Sequence, residues 1–229
     1  MDTSTYKAFA QQHLGGFDNL ELLINAFTHR SYLNEHKKTA GQHNERLEFL
    51  GDAVLELVVT EYLYNNYSDP EGILTNWRSA LVRTESISAA ANRNGFEPLL
   101  RLSRGEKRGS QRAREQILAN CYEAVVGALY LEKGYEATKD FISKTLLPTF
   151  DEILKSGSWM DPKSRLQEVV QSKDGFTPVY KVLSEEGPDH DKVFVVGVFV
   201  NNTLKGEGNG PSKQAAQVAA AAEALAHYQ

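Results

Sequence analysis

The apolar residues of this chain change their spacing once, and that change limits the architectures open to it. From the N-terminus to about residue 153 they recur at helical intervals. "LELLINAFTHRSYL", "RLEFLGDAVLELVVTEYLYNNY", "LTNWRSALVRTESISAAANRNG" and "ILANCYEAVVGALYLEKG" read as helical stretches separated by Gly, Pro, Asn and Asp. Past the polar "KSGSWMDP" comes a helix-like "PKSRLQEVVQSK". Then "TPVYKVLSEEG", "KVFVVGVFVNN" and "TLKGEGNG" alternate apolar and polar residues and end in turn residues, and an Ala-rich "SKQAAQVAAAAEALAHY" follows. The expectation is a multi-domain protein: an all-α domain over 1–153, a linker over 154–160, and a small α+β domain of order α-β-β-β-α over 161–229. "SDPEG" is expected to turn, and Gly134 of "LEKGY" to cap a helix.

Within "HNERLEFLGDAVL", residues 43–55, a rotation of about 100° per residue puts Leu47, Leu50, Val54 and Val58 on one core stripe. Glu45, Glu48 and Asp52 gather within roughly 60° of each other on another side. No Lys or Arg of the same helix shares that face, so the acids repel by a few tenths of a kcal/mol per pair. "ILANCYEAVVGALYL" repeats the arrangement: Leu118, Val125 and Leu129 form a core stripe, while Asn120 and Glu123 point away. Two such helices could present these oxygens to one space, the ligand type that Mg²⁺ takes together with water and substrate phosphate. On spacing alone the bland reading, acids that merely solvate helix faces, stands ahead of the metal reading. "RLSRGEKRGSQRARE" is the most basic stretch, with Arg101, Arg104, Lys107, Arg108, Arg112 and Arg114 against Glu106 and Glu115. It suits a phosphate backbone approaching the acids and equally suits a solvated loop. Phe49 lies off the core stripe and must pack on another helix or another chain.

Bulk properties narrow the class. At 229 residues and 41% hydrophobic the chain can bury a core, yet it has no apolar run long enough to span a bilayer. The N-terminal residues lack the basic and apolar regions of a signal peptide. The single cysteine, Cys121, excludes an internal disulfide and a cysteine-based zinc cluster, and is expected to be a buried structural thiol. A cytoplasmic protein without membrane partner or small-molecule cofactor is expected. The net charge of −5 does not suggest nucleic acid, so local patches must decide.

"NERLEFLGDAVL" resembles the signature of the ribonuclease III family nearly residue for residue, and the similarity continues through "AFTHRSY", "GILTNWRSALV", "GE" and "ILANCYEAVVGALYL". The C-terminal part resembles a double-stranded RNA-binding domain in "DPKSRLQEVVQ", "GPDHDKVFVVGVFVNN" and "GEGNGPSKQAAQVAA". The resemblance implies a ribonuclease III catalytic domain followed by that RNA-binding domain, acting as a homodimer on double-stranded RNA. It implies Mg²⁺, with Mn²⁺ as a substitute, held by Glu48, Asp52, Glu123 and Asn120. Asp52, Glu123 and Glu45 are the implied catalytic residues, and Phe49 an implied dimer contact. Asn120 stands where the family usually has Asp, which removes one negative charge while keeping an oxygen ligand.

For the RNA-binding domain, the resemblance assigns Gln167, Glu168 and His190 to successive minor grooves and Ser212 and Lys213 to the phosphates between them. Residues 161–229 hold seven Lys and Arg against nine Asp and Glu, so weak, salt-sensitive binding is expected. The implied reaction is cleavage by metal-activated water to 5′-phosphate and 3′-hydroxyl ends, in processing of precursor ribosomal RNA and messenger RNA. The alternative is a duplex-RNA-binding protein with reduced or lost cleavage because of Asn120.

Overall fold

The computed structural model describes residues 3–36, 41–188 and 192–228. It divides between residues 155 and 156 into two units. The first is helical: α1 (Ser4–His13), α2 (Leu20–Ala26), α3 (Arg30–Glu35), α4 (Glu45–Asn66), α5 (Glu71–Leu81), α6 (Thr84–Arg93), α7 (Gln111–Thr145) and α8 (Phe150–Ser156). Leu47, Val54, Leu55 and Val58 of α4 are buried, as are Leu118, Val125 and Leu129 of α7; Leu50 is only half-buried. Each such side chain contributes roughly 1.5–3 kcal/mol when fully buried. Phe96 stacks on Tyr122, and Tyr122 on Phe141, with centroids 5.6 and 5.5 Å apart. Tyr122 thereby anchors the middle of α7 in the core.

Two expected helical stretches are interrupted, and a third runs on past its expected end. "LELLINAFTHRSYL" breaks between α2 and α3 because Thr28 forms a parallel bridge with Arg101. His29 N–H donates to the Arg101 carbonyl at 3.1 Å, and the His29 ring accepts from Ser31 N–H to cap α3. "LTNWRSALVRTESISAAANRNG" breaks between α5 and α6 where Arg83 is extended (φ −72°, ψ 154°) and Ser86 Oγ donates to the Ala80 carbonyl at 2.7 Å. Gly134 leaves the helical region (φ 76°, ψ −170°), as a cap would, but helix resumes directly after it.

The second unit holds α9 (Pro162–Asp174), β1 (Val179–Glu186), β2 (Val193–Val200), β3 (Thr203–Gly210) and α10 (Lys213–Ala226). Asp161 caps α9 by accepting from the Lys163 and Ser164 N–H groups, and Pro162 fits the first turn. The sheet is antiparallel in the order β1-β2-β3. Asn201 and Asn202 both take positive φ (47° and 59°), as a two-residue hairpin turn requires. Leu166 and Val170 of α9, Val198 and Val200 of β2, and Ala220, Ala221 and Ala224 of α10 form the core. Among the described residues no helix is long and apolar enough to cross a membrane.

Candidate active site

Two glycines set the distance between α4 and α7. A Cβ at Gly51 would lie 1.7 Å from the Glu123 carbonyl oxygen, and one at Gly127 would lie 2.2 Å from the Leu47 carbonyl oxygen. No other residue fits either position. A helix-interior glycine forfeits about 1 kcal/mol of helix propensity relative to Ala, and two such glycines on facing helices are a signal by which this contact could be found in the sequence. The crossing brings Glu48 and Asp52 of α4 into electrostatic range of Glu123 on α7.

Glu123 shows the consequence. Burial first, then the Asp52 and Glu48 carboxylates, push its pKa up to about 8, with no cation among the causes. Glu48 is also raised, by burial and then by Glu45, with Asp52 adding to the rise and a hydrogen bond from Asn120 opposing it. Glu45, at the first turn of α4, is held from outside: Arg30 Nη1 lies 3.5 Å from its Oε1 and His43 Nδ1 lies 3.7 Å from its Oε2.

Asn120 sits between the acids in an unexpected role. Gln116 Nε2 donates to its Oδ1 at 2.7 Å, and Gln116 Oε1 accepts from Thr84 Oγ1 at 3.5 Å. A carboxylate can only accept, so Asn120 meets Glu48 through its amide N–H. Its oxygen, expected to serve as a metal ligand, is therefore turned to Gln116. Its sequence neighbour Cys121 is fully buried, with its Sγ 3.5 Å from the Ala26 carbonyl oxygen, as expected of a structural thiol.

Among the described residues, no group of three or more His, Cys, Asp or Glu is drawn together so as to hold a metal ion. The acids form a coupled but open patch rather than a closed cage. Its chemistry fits a hard divalent cation: the donors are oxygens only, and their mutual repulsion is what such an ion relieves. The residues that would hold it are Glu48, Asp52 and Glu123.

The basic stretch leads directly into α7. Arg114 is drawn inward, paired with the Glu97 carboxylate and donating to the Lys107 carbonyl at 2.9 Å. Arg101 is buried, its Nη1 donating to Thr28 Oγ1 at 3.1 Å and its guanidinium 4.3 Å from the Tyr32 ring centroid. Arg104, Lys107, Arg108 and Arg112 remain exposed. The stretch thus splits into two structural arginines and four exposed cations.

Phe49 projects into solvent, 82% exposed, so among the described residues it is not buried against another helix. In the small unit, Gln167 and Glu168 are exposed on α9. Ser212 caps α10, accepting from Ala215 N–H at 3.1 Å, and Lys213 follows it. His190 lies outside the described residues.

Comparisons with known proteins bear on the same two units. The family described as Ribonuclease-III-like matches residues 19–150, and the double-stranded RNA binding motif matches residues 162–228. A protein named Ribonuclease 3 from Latilactobacillus sakei subsp. sakei (strain 23K) is 45% identical over 210 residues, 91% of each chain. One of the same name from Bacillus cytotoxicus is 45% identical over 222 residues, 96% of this chain and 90% of its own. The nuclease domain of ribonuclease III from Campylobacter jejuni, solved in work on flexibility of its dimer-forming region, aligns with a TM-score of 0.56 and 38% identity. That alignment covers 62% of this chain and 96% of the solved one.

Proposed function

The chain belongs to the ribonuclease III family of double-strand-specific endoribonucleases, and on that premise we propose that it cleaves duplex RNA with Mg²⁺ at the Glu48–Asp52–Glu123 patch, leaving 5′-phosphate and 3′-hydroxyl ends. One observation carries the reading: Gly51 and Gly127 force α4 and α7 together where three carboxyls repel one another. A bound divalent cation supplies activation of water and stabilisation of the leaving oxygen at such a site. Glu48, Asp52 and Glu123 supply the negative oxygens. Glu45, steadied by Arg30, assists beside them. The exposed Arg104, Lys107, Arg108 and Arg112 hold phosphates near the entrance. In the small unit, Gln167, Glu168, Ser212 and Lys213 carry the duplex contacts that position the substrate.

The enzyme works as a homodimer in this reading, so that two equivalent sites address the two strands and leave staggered ends. Phe49, Leu57 and Tyr64 share one side of α4 and are 82%, 57% and 78% exposed, an apolar surface that a second copy would cover. The cellular substrates we assign are precursor ribosomal and messenger RNA in the cytoplasm.

The test is a cleavage assay on a long duplex and on single-stranded RNA, each with Mg²⁺ and with EDTA. Duplex-only products that require Mg²⁺ and carry 5′-phosphate are expected. Duplex binding without product would instead favour a binding protein whose cleavage was weakened by Asn120.

A further inference from the structure

The Lys213 assigned above to RNA phosphates is already engaged in the free protein. Its Nζ lies 2.9 Å from Glu185 Oε1 and 5.4 Å from the Phe194 ring centroid. A second cation, Lys192, lies 3.9 Å from Glu185 Oε2. A carboxylate thus occupies the ammonium that the RNA-binding reading reserves for phosphate.

Strand register shows how the acid comes to be there. Tyr180 pairs with Val198 and Val182 with Val196, so these β1 residues share the helix-bearing face of the sheet with the core valines of β2. Continued without interruption, that register would set Glu185 opposite Val193, on the other face. The register instead shifts between Val182 and Ser184, with Leu183 as the extra residue. Glu185 then pairs with Phe194, which pairs in turn with Gly210 at the end of β3. Two residues later Ser212 caps α10. A one-residue bulge has therefore turned an acid from the open face to the start of the last helix.

Resting on the assignment of Lys213 to duplex phosphate, we propose that Glu185 is an intramolecular competitor for RNA, holding Lys213 until a phosphate displaces it. Both partners are partly exposed, with 57% of the Lys213 and 37% of the Glu185 side chain accessible, so exchange needs no unfolding. A pre-paired lysine also contributes less to the electrostatic attraction of a polyanion. Duplex affinity and its salt dependence are both lowered.

Binding of a fluorescently labelled perfect duplex to the full chain in EDTA, which prevents cleavage, tests this across a KCl series. Glu185→Gln keeps the shape and removes the charge. It is expected to tighten binding roughly threefold to fivefold at low salt, the fold-change equivalent of a released surface ion pair, with the gain shrinking as salt rises. The slope of log affinity against log salt should steepen by up to about one unit. Lys213→Gln should weaken binding, and adding Glu185→Gln to it should then gain less than about twofold, because the competitor has nothing left to hold. Unchanged or weaker binding by Glu185→Gln, with Lys213→Gln still harmful, overturns the competitor and leaves the RNA surface intact. A full gain that survives in the double variant also overturns it, since the effect would then bypass Lys213. If Lys213→Gln leaves binding unaltered, the assignment of Lys213 to RNA fails first.

Discussion

A Cβ at Gly127 in the helical unit would lie 2.2 Å from the Leu47 carbonyl oxygen, and a Cβ at Gly208 in the small unit would lie 2.2 Å from the Ala220 nitrogen. Both units use glycine to bring backbones into contact, but the result differs. On β3, Gly206 and Gly208 face Ala216, Ala220 and Ala224 of α10, and the Glu207 N–H between them donates to the Glu223 carboxylate. Across α4 and α7 the same closeness brings Glu48, Asp52 and Glu123 within range of one another. The charge at the start of α10 is instead paired with one of opposite sign, Lys213 with Glu185. Tight packing by itself does not mark a site. Tight packing that leaves like charges together does.

The largest effects should come from the glycines. Gly127→Ala places a methyl group inside a backbone carbonyl contact, and overpacking of this kind costs about 1–3 kcal/mol or more. Thermal unfolding should show the helical unit weakened, and cleavage should fall with it because α4 and α7 are forced apart. Gly208→Ala should weaken the small unit by a similar amount and reduce duplex binding. If Gly127→Ala retained both its melting temperature and its cleavage rate, the glycine contact would not be what spaces the acids.

Next in size is the penalty stored at Glu123. Its pKa rises from 4.5 to about 8 on folding. Below 4.5 the group is protonated in both states and contributes nothing. Between 4.5 and 8 the unfolded chain releases the proton while the folded chain keeps it, so stability falls as pH rises; above about 8 the full penalty remains. Glu123→Gln removes it. In EDTA the variant should gain roughly 2 kcal/mol over the parent at pH 8.5 and close to nothing at pH 4.5, after discounting for partial solvent screening. Restoring Mg²⁺ should narrow the gap at high pH by stabilising the parent alone. A pH-independent difference would mean that Glu123 is not under electrostatic strain.

These predictions rest on features of unequal visibility in the sequence. The change from helical to alternating spacing announced the all-α and α-β-β-β-α organisation, because binary pattern carries secondary structure directly. The acids on the signature helix were visible for the same reason. The breaks at Thr28–His29 and at Val82–Arg83 were hidden, since the first depends on Arg101 far along the chain and the second on a local Ser86 bond to Ala80. Glu185 was hidden more deeply: its face depends on one extra residue in the pairing of β1 with β2, and periodicity cannot count bulges. Gly51 and Gly127 were visible as letters, but their purpose emerges only when the two helices meet.

The smallest expected effect concerns Asn120 and bears most directly on the contrast between the units. Asn120 relieves the acid patch slightly, by donating to Glu48 while Gln116 holds its oxygen. Asn120→Asp replaces that donor with another negative charge, so the metal-free protein should be less stable by a few tenths of a kcal/mol to about 1 kcal/mol. The same added charge strengthens attraction for a divalent cation, and Gln116 can still donate to the new carboxylate. Half-maximal cleavage should therefore need severalfold less Mg²⁺ in the variant, a shift read by titrating the metal at saturating duplex. A requirement that stays the same or rises would show that charge at this position is not limiting. The amide of Asn120 would then serve the site through its hydrogen bond to Glu48, and the helical unit, like the small one, would depend on a built-in partner for one of its charges.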